Sequence, residues 1–373
     1  MKKCILINNC PNPDDPGSSK LGGGDMSLLA LLSGLPEAGW SPHVVVPGTG
    51  QLTDIFSDRK IPFTVIHFQE ASLRRPVKSL NGMWVWRRVL AKHCPDLIHS
   101  NTTSVTRHFA WAAASLKIPY ISHVRLTMNP GESRWTFRCF PRPRSFIFVS
   151  EALRAQLWPE LSQICPKSQC HVVHNAIDLR KFTERPLPKA APFRIGIIAN
   201  LAPLKRHEDF LRMAAEMLRV RQDLEFVIVG DDVLGKGRLE MLSGLAAELG
   251  VAPYVRFLGH RSDIPEIISS FHVLVSTSEY ESFGRVVIEG MALGRPVIAT
   301  SVGGIPEIVE DGVTGCLVPV GDVQRLSRAA LSLLADSRSM EAMGQRAAAA
   351  ARSRFSLESH AGRITAIYNS LVR

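Results

Sequence analysis

The chain has 373 residues and a mass of 41.1 kDa, more than one hydrophobic core normally holds, which indicates two domains of ordinary size. Apolar residues make up 45% and charged residues 21%, a composition that excludes disordered, collagen-like and disulfide-scaffold chains. The formal net charge of +10 lies in the first half, because residues 1–190 hold 24 Lys and Arg against 13 Asp and Glu, whereas residues 191–373 hold 20 against 21.

Apolar runs with strand character recur along the first half and are separated by longer stretches with helical periodicity. The amino-terminal run is too short for a secretory signal, and no stretch reaches the ~20 apolar residues that span a bilayer. We therefore expect a cytoplasmic protein. The predicted strands of the first half are residues 4–8, 43–46, 63–68, 97–100, 120–124, 146–149 and 171–174, and its first predicted helix covers residues 26–38.

A proline-rich stretch at residues 185–192 interrupts this alternation and is typical of a stiff connector. We place the domain boundary there, with a first domain over residues 1–185, a second over 186–355 and a helical tail over 356–373. The alternation predicts the α/β class, with doubly wound parallel sheets covered by helices on both faces. The second half contains predicted strands at 194–199, 225–229, 255–258, 273–276, 296–300 and 316–318, and predicted helices at 207–220, 238–249 and 322–334.

A glycine-rich segment, Gly22-Gly23-Gly24-Asp25, follows the first predicted strand and leads into the first predicted helix. Glycines allow a ligand to approach the backbone closely, and the N–H groups at a helix start attract anions. The spacing differs from the G-x-G-x-x-G pattern of dinucleotide cofactors, so a flexible turn is the alternative interpretation.

The densest pattern of the second half lies in residues 276–300, where a strand, a polar turn, a helix and the next strand follow one another. The turn carries Glu281 and Gly284, and Glu289 lies two turns inside the helix. N–H groups at this helix start would face a phosphate, as they do in many α/β folds. The two glutamates could contact different parts of one long ligand, and the alternative is solvated surface charge.

Together these segments resemble the glycosyltransferases of the GT-B fold, and most closely family 4 of the retaining, nucleotide-sugar-dependent enzymes. The resemblance implies two Rossmann-like domains that face each other across a cleft, with the acceptor on the first and the donor on the second. It also implies that the C-terminal helix packs back on the first domain. The segments that carry the resemblance are residues 22–25, 149–151, 175–178, 230–231, 281–289, 303–304 and 311–315.

The resemblance implies a role for each of four side chains. Glu281 corresponds to the carboxylate that faces the transferred sugar, and Glu289 to the carboxylate that hydrogen-bonds the ribose. Lys205 corresponds to the lysine that neutralises the diphosphate, where an ammonium stabilises the developing charge. His123 corresponds to a histidine near the transferred sugar. The catalytic candidates are therefore Glu281, His123 and Lys205, whereas the alternatives are a structural histidine and a solvated lysine.

Asn200 departs from the family pattern, because many relatives have an arginine there that shares the phosphate charge. Arg206 or a residue of the first domain would have to substitute for it. No Asp-x-Asp occurs, and the seven cysteines are scattered without metal-ligand spacing, so we expect reduced thiols, no metal and no cofactor besides the nucleoside diphosphate sugar as donor substrate. The implied donor-binding residues are Gly23, Gly24, Asn200, Lys205, Arg206, Gly230, Arg261, Ser282, Phe283, Gly284, Arg285, Val286 and Glu289.

Residues 71–154 hold 14 basic residues against three acidic ones, with tryptophans interleaved. Aromatic anchors beside cations are typical of a surface that meets anionic lipid or a lipid-linked acceptor. The alternative is solvated helix faces with tryptophans in the core, and nucleic acid is not expected because no motif for it accompanies the charge. The predicted membrane or acceptor face consists of Arg74, Arg75, Lys78, Trp84, Trp86, Arg87 and Arg88.

The function expected from the resemblance is transfer of a sugar, with retention at the anomeric carbon, from a nucleoside diphosphate sugar to a carbohydrate or lipid-linked acceptor. Synthesis of cell-envelope polysaccharide, lipopolysaccharide or glycolipid would be its setting, with the enzyme in the cytoplasm or peripheral on the inner face of the cytoplasmic membrane. The alternatives are a nucleotide-sugar epimerase of the same fold and a non-catalytic protein that binds sugar nucleotides or polyanions.

Overall fold

The computed structural model of the chain divides into two compact units, one formed by Met1–Ala176 with Leu357–Arg373 and the other by Ile177–Ser356. Each unit contains one parallel sheet with helices packed around it. The predicted α/β class with two Rossmann-like domains is therefore confirmed. The residues that the structure describes are 1–10, 21–68, 76–233 and 235–372.

The first unit has a seven-stranded sheet within the described residues. Its strands are β1 (Lys2–Ile7), β2 (Trp40–Val46), β3 (Phe63–Val65), β4 (Leu97–Ser100), β5 (Tyr120–Val124), β6 (Ser145–Phe148) and β7 (Gln169–Val172), in the spatial order β3-β2-β1-β4-β5-β6-β7. Its helices up to the unit boundary are α1 (Gly23–Gly34), α2 (Gln51–Asp58), α3 (Pro76–His93), α4 (Thr106–Ser115), α5 (Glu132–Phe137) and α6 (Glu151–Ile164).

The second unit has a six-stranded sheet, again counted over the described ranges. Its strands are β8 (Phe193–Ile198), β9 (Leu224–Val229), β10 (Val255–Phe257), β11 (Val273–Ser276), β12 (Val297–Thr300) and β13 (Cys316–Val318), in the order β10-β9-β8-β11-β12-β13. Its helices are α7 (His207–Leu218), α8 (Arg238–Glu248), α9 (Ile264–Ser269), α10 (Arg285–Ala292), α11 (Ile305–Ile308), α12 (Val323–Ala335) and α13 (Ser337–Arg354).

The C-terminal helix α14 (Leu357–Leu371) belongs to the first unit and packs against α1. The two helices approach closely because Gly34 has no side chain, and a Cβ there would lie 2.5 Å from the Cβ of Ala361. Tyr368 is buried on the same helix, with its ring edge-on to Trp40 at 4.9 Å. This packing brings the end of the chain to the first unit's sheet.

Side chains of β1 alternate between two buried clusters on opposite faces of the first sheet. Cys4 and Leu6 pack with α1, whereas Ile5 and Ile7 pack with residues of α3 and α4. Parallel strands covered on both faces are apolar in both directions, which is why they appear in the sequence as continuous apolar runs. All thirteen predicted strands accordingly overlap strands among the described residues.

Several element boundaries differ from the predictions by two or more residues, and three of them lie in β3 and α1. The strand predicted at 63–68 ends at Val65, because only three residues pair with β2. Helix α1 begins three residues before the predicted helix 26–38, since the Asp25 carboxylate accepts a hydrogen bond from the Gly22 N–H at 2.8 Å and caps the first turn. It ends at Gly34, two residues before Pro36, which has no N–H to donate to a carbonyl of the preceding turn.

The unit boundary lies after Ala176, nine residues before the predicted boundary at 185/186. Residues beyond it bond to the second unit: the Ile177 N–H donates to the Phe355 carbonyl at 3.1 Å, and the Arg185 N–H donates to the Leu293 carbonyl at 3.3 Å. The proline-rich stretch therefore lies within the second unit rather than between the two units, because composition alone does not show which residues a segment will bond to. No disulfide joins the seven cysteines, all of which lie among the described residues. No helix within the described ranges combines the length and hydropathy of a membrane span.

Candidate functional site

The carboxyl ends of β8 and β11 lie side by side in the second unit. The strand order changes direction between them, since β8 leads to β9 and β10 on one side and β11 leads to β12 and β13 on the other. Ligands of doubly wound sheets bind at such a switch point. The loops that follow the two strands are joined there, because Thr277 Oγ1 donates to the Lys205 carbonyl at 2.7 Å and the Glu279 N–H donates to the Leu204 carbonyl at 2.8 Å.

Lys205 and Glu281 meet across these two loops. Lys205 Nζ donates to Glu281 Oε1, and Ser278 Oγ donates to the same oxygen at 3.1 Å. The two charged side chains are 25% and 21% exposed, so both remain accessible to a ligand. An ammonium and a carboxylate in one partly open position can contact a phosphate and a sugar hydroxyl, respectively.

Two glycines allow backbone segments to approach each other at this site. Gly303 has a φ of +50°, and a Cβ there would lie 1.8 Å from the carbonyl oxygen of Glu281, which also accepts a hydrogen bond from the Gly304 N–H at 3.0 Å. Gly230, directly after β9, has a φ of +150°, and a Cβ there would lie 1.9 Å from the Ala199 carbonyl oxygen. Only glycine fits at either position. The Gly303-Gly304 turn therefore holds the backbone that carries Glu281.

Helix α10 begins at Arg285, just after this loop. Its N-cap Gly284 has a φ of +105°, and a Cβ there would lie 2.3 Å from Ile305 Cδ1. Arg285 donates from Nε and Nη2 to Glu289 Oε1, at 3.0 and 2.7 Å. Burial raises the pKa of Glu289, and the charge of Arg285 opposes the rise. The helix thus carries a buried carboxylate and the arginine that pairs with it.

Two arginines of the predicted donor-binding set are held by acidic neighbours. Arg206 Nε donates to Asp209 Oδ2 at 2.6 Å, and Arg261 donates from Nε and Nη2 to Asp263 at 2.9 and 2.7 Å. The charge of Arg206, predicted as a substitute for the arginine that the resemblance implies at position 200, is therefore shared with Asp209. Of the other members of the set, Asn200 is exposed, Val286 is half-buried, and Ser282 and Phe283 are buried.

A second polar cluster lies at the switch point of the first unit, between β1 and β4. Asn101, after β4, donates from Nδ2 to Asn8 Oδ1 at 2.8 Å, and Asn8, after β1, donates from Nδ2 to Asp25 Oδ1 at 2.8 Å. Arg125, after β5, donates from Nη2 to Asn101 Oδ1 and from Nη1 to Asn175 Oδ1, both at 2.8 Å. All five side chains are buried. Such a hydrogen-bonded network is rigid at the position where a ligand would bind.

His123, in β5, is fully buried beside this cluster. Its Nδ1 lies 3.1 Å from Nε2 of His99 and 3.2 Å from Nη2 of Arg125. Burial and the positive charge of Arg125 hold the pKa of His123 well below 6.5, so its ring is neutral at physiological pH. Burial also lowers the pKa of Arg125 to about 9, which leaves it a cation at that pH.

His123 and the glycine segment were predicted from the sequence, whereas the side chains that connect them were not. Gly24, which follows Gly23 in the first turn of α1, accepts a hydrogen bond from Asn101 Nδ2 at 3.4 Å through its carbonyl. Asn101 and Arg125 each come directly after a predicted strand. A polar residue in that position is a signal that could have found both, because the carboxyl ends of parallel strands meet at one edge of the sheet.

The structure removes one residue, Trp86, from the predicted membrane or acceptor face. Trp86 is 1% exposed, and its ring lies 5.3 Å from Phe68 and 5.9 Å from Phe109, so its prediction as a surface anchor was wrong. The reason is helical phase: Trp86 is on the side of α3 that packs on α4, whereas Trp84, two residues earlier, is on the opposite side and 61% exposed. Outside the described residues lie Arg74, Arg75 and the side chain of Lys78.

The outward side of α3 carries an exposed apolar stripe bordered by arginines. Val77, Leu80 and Trp84 follow one another at i, i+3 and i+7, and each is more than half exposed. Arg88 lies with its guanidinium carbon 5.9 Å from the centre of the Trp84 ring, and the exposed Arg87 bonds to α4 through Ser115. Exposed tryptophans on α4 and α5 are Trp111 and Trp135.

Two family models match the chain and together cover most of it. The model described as Glycosyltransferase Family 4 matches residues 21–181, and the model described as Glycosyl transferases group 1 matches residues 180–350. The second match includes Lys205, Glu281 and Glu289.

Curated relatives share about a third of their residues with the matched part of the chain. A D-inositol 3-phosphate glycosyltransferase of Streptomyces avermitilis is 34% identical over 308 residues, or 74% of this chain and 66% of that protein. The N-acetyl-alpha-D-glucosaminyl L-malate synthase of Bacillus anthracis is 31% identical over 217 residues, or 56% of this chain and 55% of that protein. Apart from the longer alignment, the chain spans about half the length of the curated relatives it matches.

Solved structures resemble the whole chain. The Anabaena protein HepE, crystallised with UDP and glucose, matches with a TM-score of 0.83 and 23% identity over 99% of this chain and 100% of that one. A glycosyltransferase from Rickettsia africae matches with a TM-score of 0.83 and 18% identity over 100% and 99%. At these identities the likeness shows a shared fold.

Proposed function

This chain belongs to the group 1, family 4 glycosyltransferases, and we propose that it transfers a glycosyl group from a nucleoside diphosphate sugar to an acceptor hydroxyl with retention at the anomeric carbon. The observation that carries the proposal is the Lys205–Glu281 pair at the switch point between β8 and β11. Relatives named as glycosyltransferases, and a similar structure that holds UDP and glucose, support a sugar nucleotide as donor.

In the proposed reaction the bond between the anomeric carbon and the diphosphate oxygen breaks, and a bond between that carbon and the acceptor oxygen forms on the same face. The acceptor proton goes to the departing diphosphate oxygen. Lys205 and the first N–H groups of α10 would stabilise the charge on the diphosphate without a metal ion. Glu281 would position the sugar and stabilise positive charge at the anomeric carbon, and neutral His123 would form a hydrogen bond to the sugar.

We place the acceptor on the first unit and assign it to the carbohydrate or lipid-linked acceptors of cell-envelope glycoconjugates. The excess of basic residues over residues 71–154 supports an anionic or lipid-linked partner. The buried network around Arg125 supports a preorganised site on that unit.

A screen of UDP-, GDP- and ADP-sugars for thermal stabilisation tests the donor. A ligand at 100 times its Kd adds about 2.7 kcal/mol to the free energy of unfolding, so one nucleotide series should raise Tm by several degrees. Release of the nucleoside diphosphate should then depend on an added acceptor. Stabilisation by none of the sugar nucleotides would contradict the proposal. Isomerisation of the donor without acceptor would identify an epimerase, and binding without turnover a non-catalytic protein.

Replacing Glu289 by alanine should weaken donor binding more than it lowers the rate at which the bound donor reacts. A ribose contact is made equally in ground and transition states, so its loss raises the Kd of the donor, by about tenfold to a hundredfold for a charged hydrogen bond. Titration gives the Kd and single-turnover experiments give the rate. Glu240→Ala, which removes an exposed glutamate from α8, is the matched control. An unchanged Kd with a collapsed rate would remove Glu289 from the ribose site.

We also propose that the outward side of α3 docks on anionic membrane. Its exposed stripe of Val77, Leu80 and Trp84 offers apolar anchors, and Arg87 and Arg88 offer cations that attract anionic headgroups. Each basic residue near such a surface contributes about 1 kcal/mol, so this binding would be reversible and sensitive to salt.

Reversing both charges, in Arg87→Glu with Arg88→Glu, should lower co-sedimentation with phosphatidylserine-containing vesicles at least ~30-fold at low salt. Trp84→Ser should weaken it further, and neutral vesicles should bind poorly. The matched control is Arg325→Glu with Arg338→Glu, which makes the same change of charge at exposed positions of the second unit. If the wild-type protein ignores anionic vesicles at low salt, or if the control pair weakens binding equally, α3 does not dock on membrane.

A further inference from the structure

Three buried rings form a hydrogen-bonded row in the first unit, from the C-terminal helix to His123. Tyr368 lies on α14, His99 on β4 and His123 on β5, and all three have 0% exposure. The Tyr368 hydroxyl is 2.5 Å from His99 Nδ1, and His99 Nε2 is 3.1 Å from His123 Nδ1. His99 pairs with Ile121 in the sheet, so His99 and His123 extend from the same face of neighbouring strands.

The direction of these hydrogen bonds follows from Arg125. A guanidinium donates and never accepts, so the contact of 3.2 Å between Arg125 Nη2 and His123 Nδ1 makes Nδ1 the acceptor. A neutral imidazole whose Nδ1 accepts carries its proton on Nε2. His99 Nε2 must then donate to His123 Nδ1, and His99 Nδ1 accepts from the Tyr368 hydroxyl. The hydrogen bond donated by Arg125 thus fixes the direction of the hydrogen bonds along the row.

The guanidinium of Arg125 cannot easily turn away from the row. Its Nε donates to the Asn101 carbonyl at 3.0 Å, and its two terminal nitrogens donate to Asn101 Oδ1 and Asn175 Oδ1. Burial of the two rings, together with the positive charge of Arg125, lowers the pKa of both His99 and His123 well below 6.5, and His360 contributes further. Each ring of the row therefore carries one proton.

The other end of the row is His123 Nε2. His123 Nε2 is buried and has no hydrogen-bond partner among the residues that the structure describes. A buried donor without a partner is destabilising and is normally satisfied by a ligand or by water. This nitrogen belongs to the strand whose carboxyl end joins the polar cluster at the switch point.

We propose that Arg125 and His99 are positioning residues that hold His123 as its neutral Nε2–H tautomer, so that His123 presents a hydrogen-bond donor to an oxygen of the transferred sugar. The identity of that oxygen rests on the proposed function, whereas the tautomer is a property of the chain without substrate. In this tautomer the lone pair of Nδ1 already accepts a hydrogen bond, and Nε2 carries the proton and has no lone pair with which to accept one. His123 therefore does not accept the proton of the acceptor hydroxyl.

Histidine ¹⁵N NMR of the labelled full chain at pH 7 tests the tautomer directly. Long-range ¹H–¹⁵N correlations distinguish protonated from unprotonated ring nitrogens, and His123→Gln assigns the His123 signals by their loss. We expect a protonated Nε2 and an unprotonated Nδ1. Arg125→Gln should mix the two tautomers, because an amide both donates and accepts, whereas Arg125→Lys should preserve the wild-type signals, because an ammonium only donates. Tyr368→Phe should leave the His123 tautomer unchanged.

A second readout connects the tautomer to turnover. Arg125→Gln should lower kcat about tenfold, as expected for the loss of one hydrogen bond in the transition state, and Arg125→Lys should restore most of it. A wild-type His123 protonated on Nδ1 or on both nitrogens would overturn the inference, as would identical His123 spectra of Arg125→Gln and wild type. If Arg125→Gln does not fold, the wild-type and Arg125→Lys spectra still decide. The expected tautomer in a protein that binds no sugar nucleotide would refute the proposed function alone.

Discussion

Lys205→Ala is expected to lower the turnover number about 10²- to 10³-fold, the range for loss of one preorganised group that stabilises transition-state charge. We expect the upper end of this range for two reasons. Position 200 carries asparagine where the family resemblance predicts an arginine, and the guanidinium of Arg206 is engaged by Asp209. Little redundant positive charge therefore remains at the diphosphate. Initial rates at saturating donor and acceptor measure the effect.

The ion pair with Glu281 requires a control, because Lys205→Ala also leaves the Glu281 carboxylate without its cation at the proposed diphosphate site. A double-mutant cycle with Glu281→Gln separates the two effects, since coupled residues deviate from additivity. Lys189→Ala, at an exposed position of the proline-rich stretch, matches the change of charge and should be neutral. Retention of half the activity in Lys205→Ala would remove this lysine from the site.

Gly303→Ala is expected to damage both stability and activity. The new Cβ would lie 1.8 Å from the Glu281 carbonyl oxygen, on a backbone with a φ of +50°. The left-handed conformation and the clash together should lower the free energy of unfolding by about 2–5 kcal/mol. A displacement of Glu281 by about 1 Å should also lower kcat about 10²-fold. Urea unfolding and initial rates measure the two effects.

Gly312→Ala is a control that separates the effect of backbone strain from the effect of displacing Glu281. Gly312 has a similar φ of +73°, but a Cβ there meets nothing within 4 Å. This variant should therefore lose about 1–2 kcal/mol from the backbone conformation and keep its activity. Equal activities of the two variants would show that the close approach of Gly303 does not position Glu281.

Secondary structure and strand direction could be predicted from the sequence because their causes are local. The thirteen strands appear as short apolar runs, since a parallel strand covered on both faces must be apolar in both directions. The signature over residues 281–289 and the preceding polar turn likewise lies within one strand–turn–helix unit. Such features depend on neighbours in the chain, and the pattern of one segment is enough to indicate them.

Burial of individual side chains was harder to predict from the sequence. Trp84 and Trp86 have nearly the same sequence surroundings, yet one is exposed and the other is packed against Phe68 and Phe109. The difference depends on which side of α3 faces α4, and that is set by packing of the whole unit. The boundary after Ala176 depends in the same way on hydrogen bonds to residues more than a hundred positions later.

The fold class and the succession of strands could be predicted from the sequence, and the family resemblance pointed to residues for a sugar-nucleotide site. Which of these residues meet depends on the packing of the folded chain. Lys205 and Glu281 are 76 residues apart and come together because β8 and β11 are neighbours at a switch point. The tautomer that we propose for His123 depends on Arg125, which follows β5, and on His99 from β4. A proton position set by groups from two neighbouring strands has no local signature, because its cause is the direction of hydrogen bonds that exist only after the chain has folded.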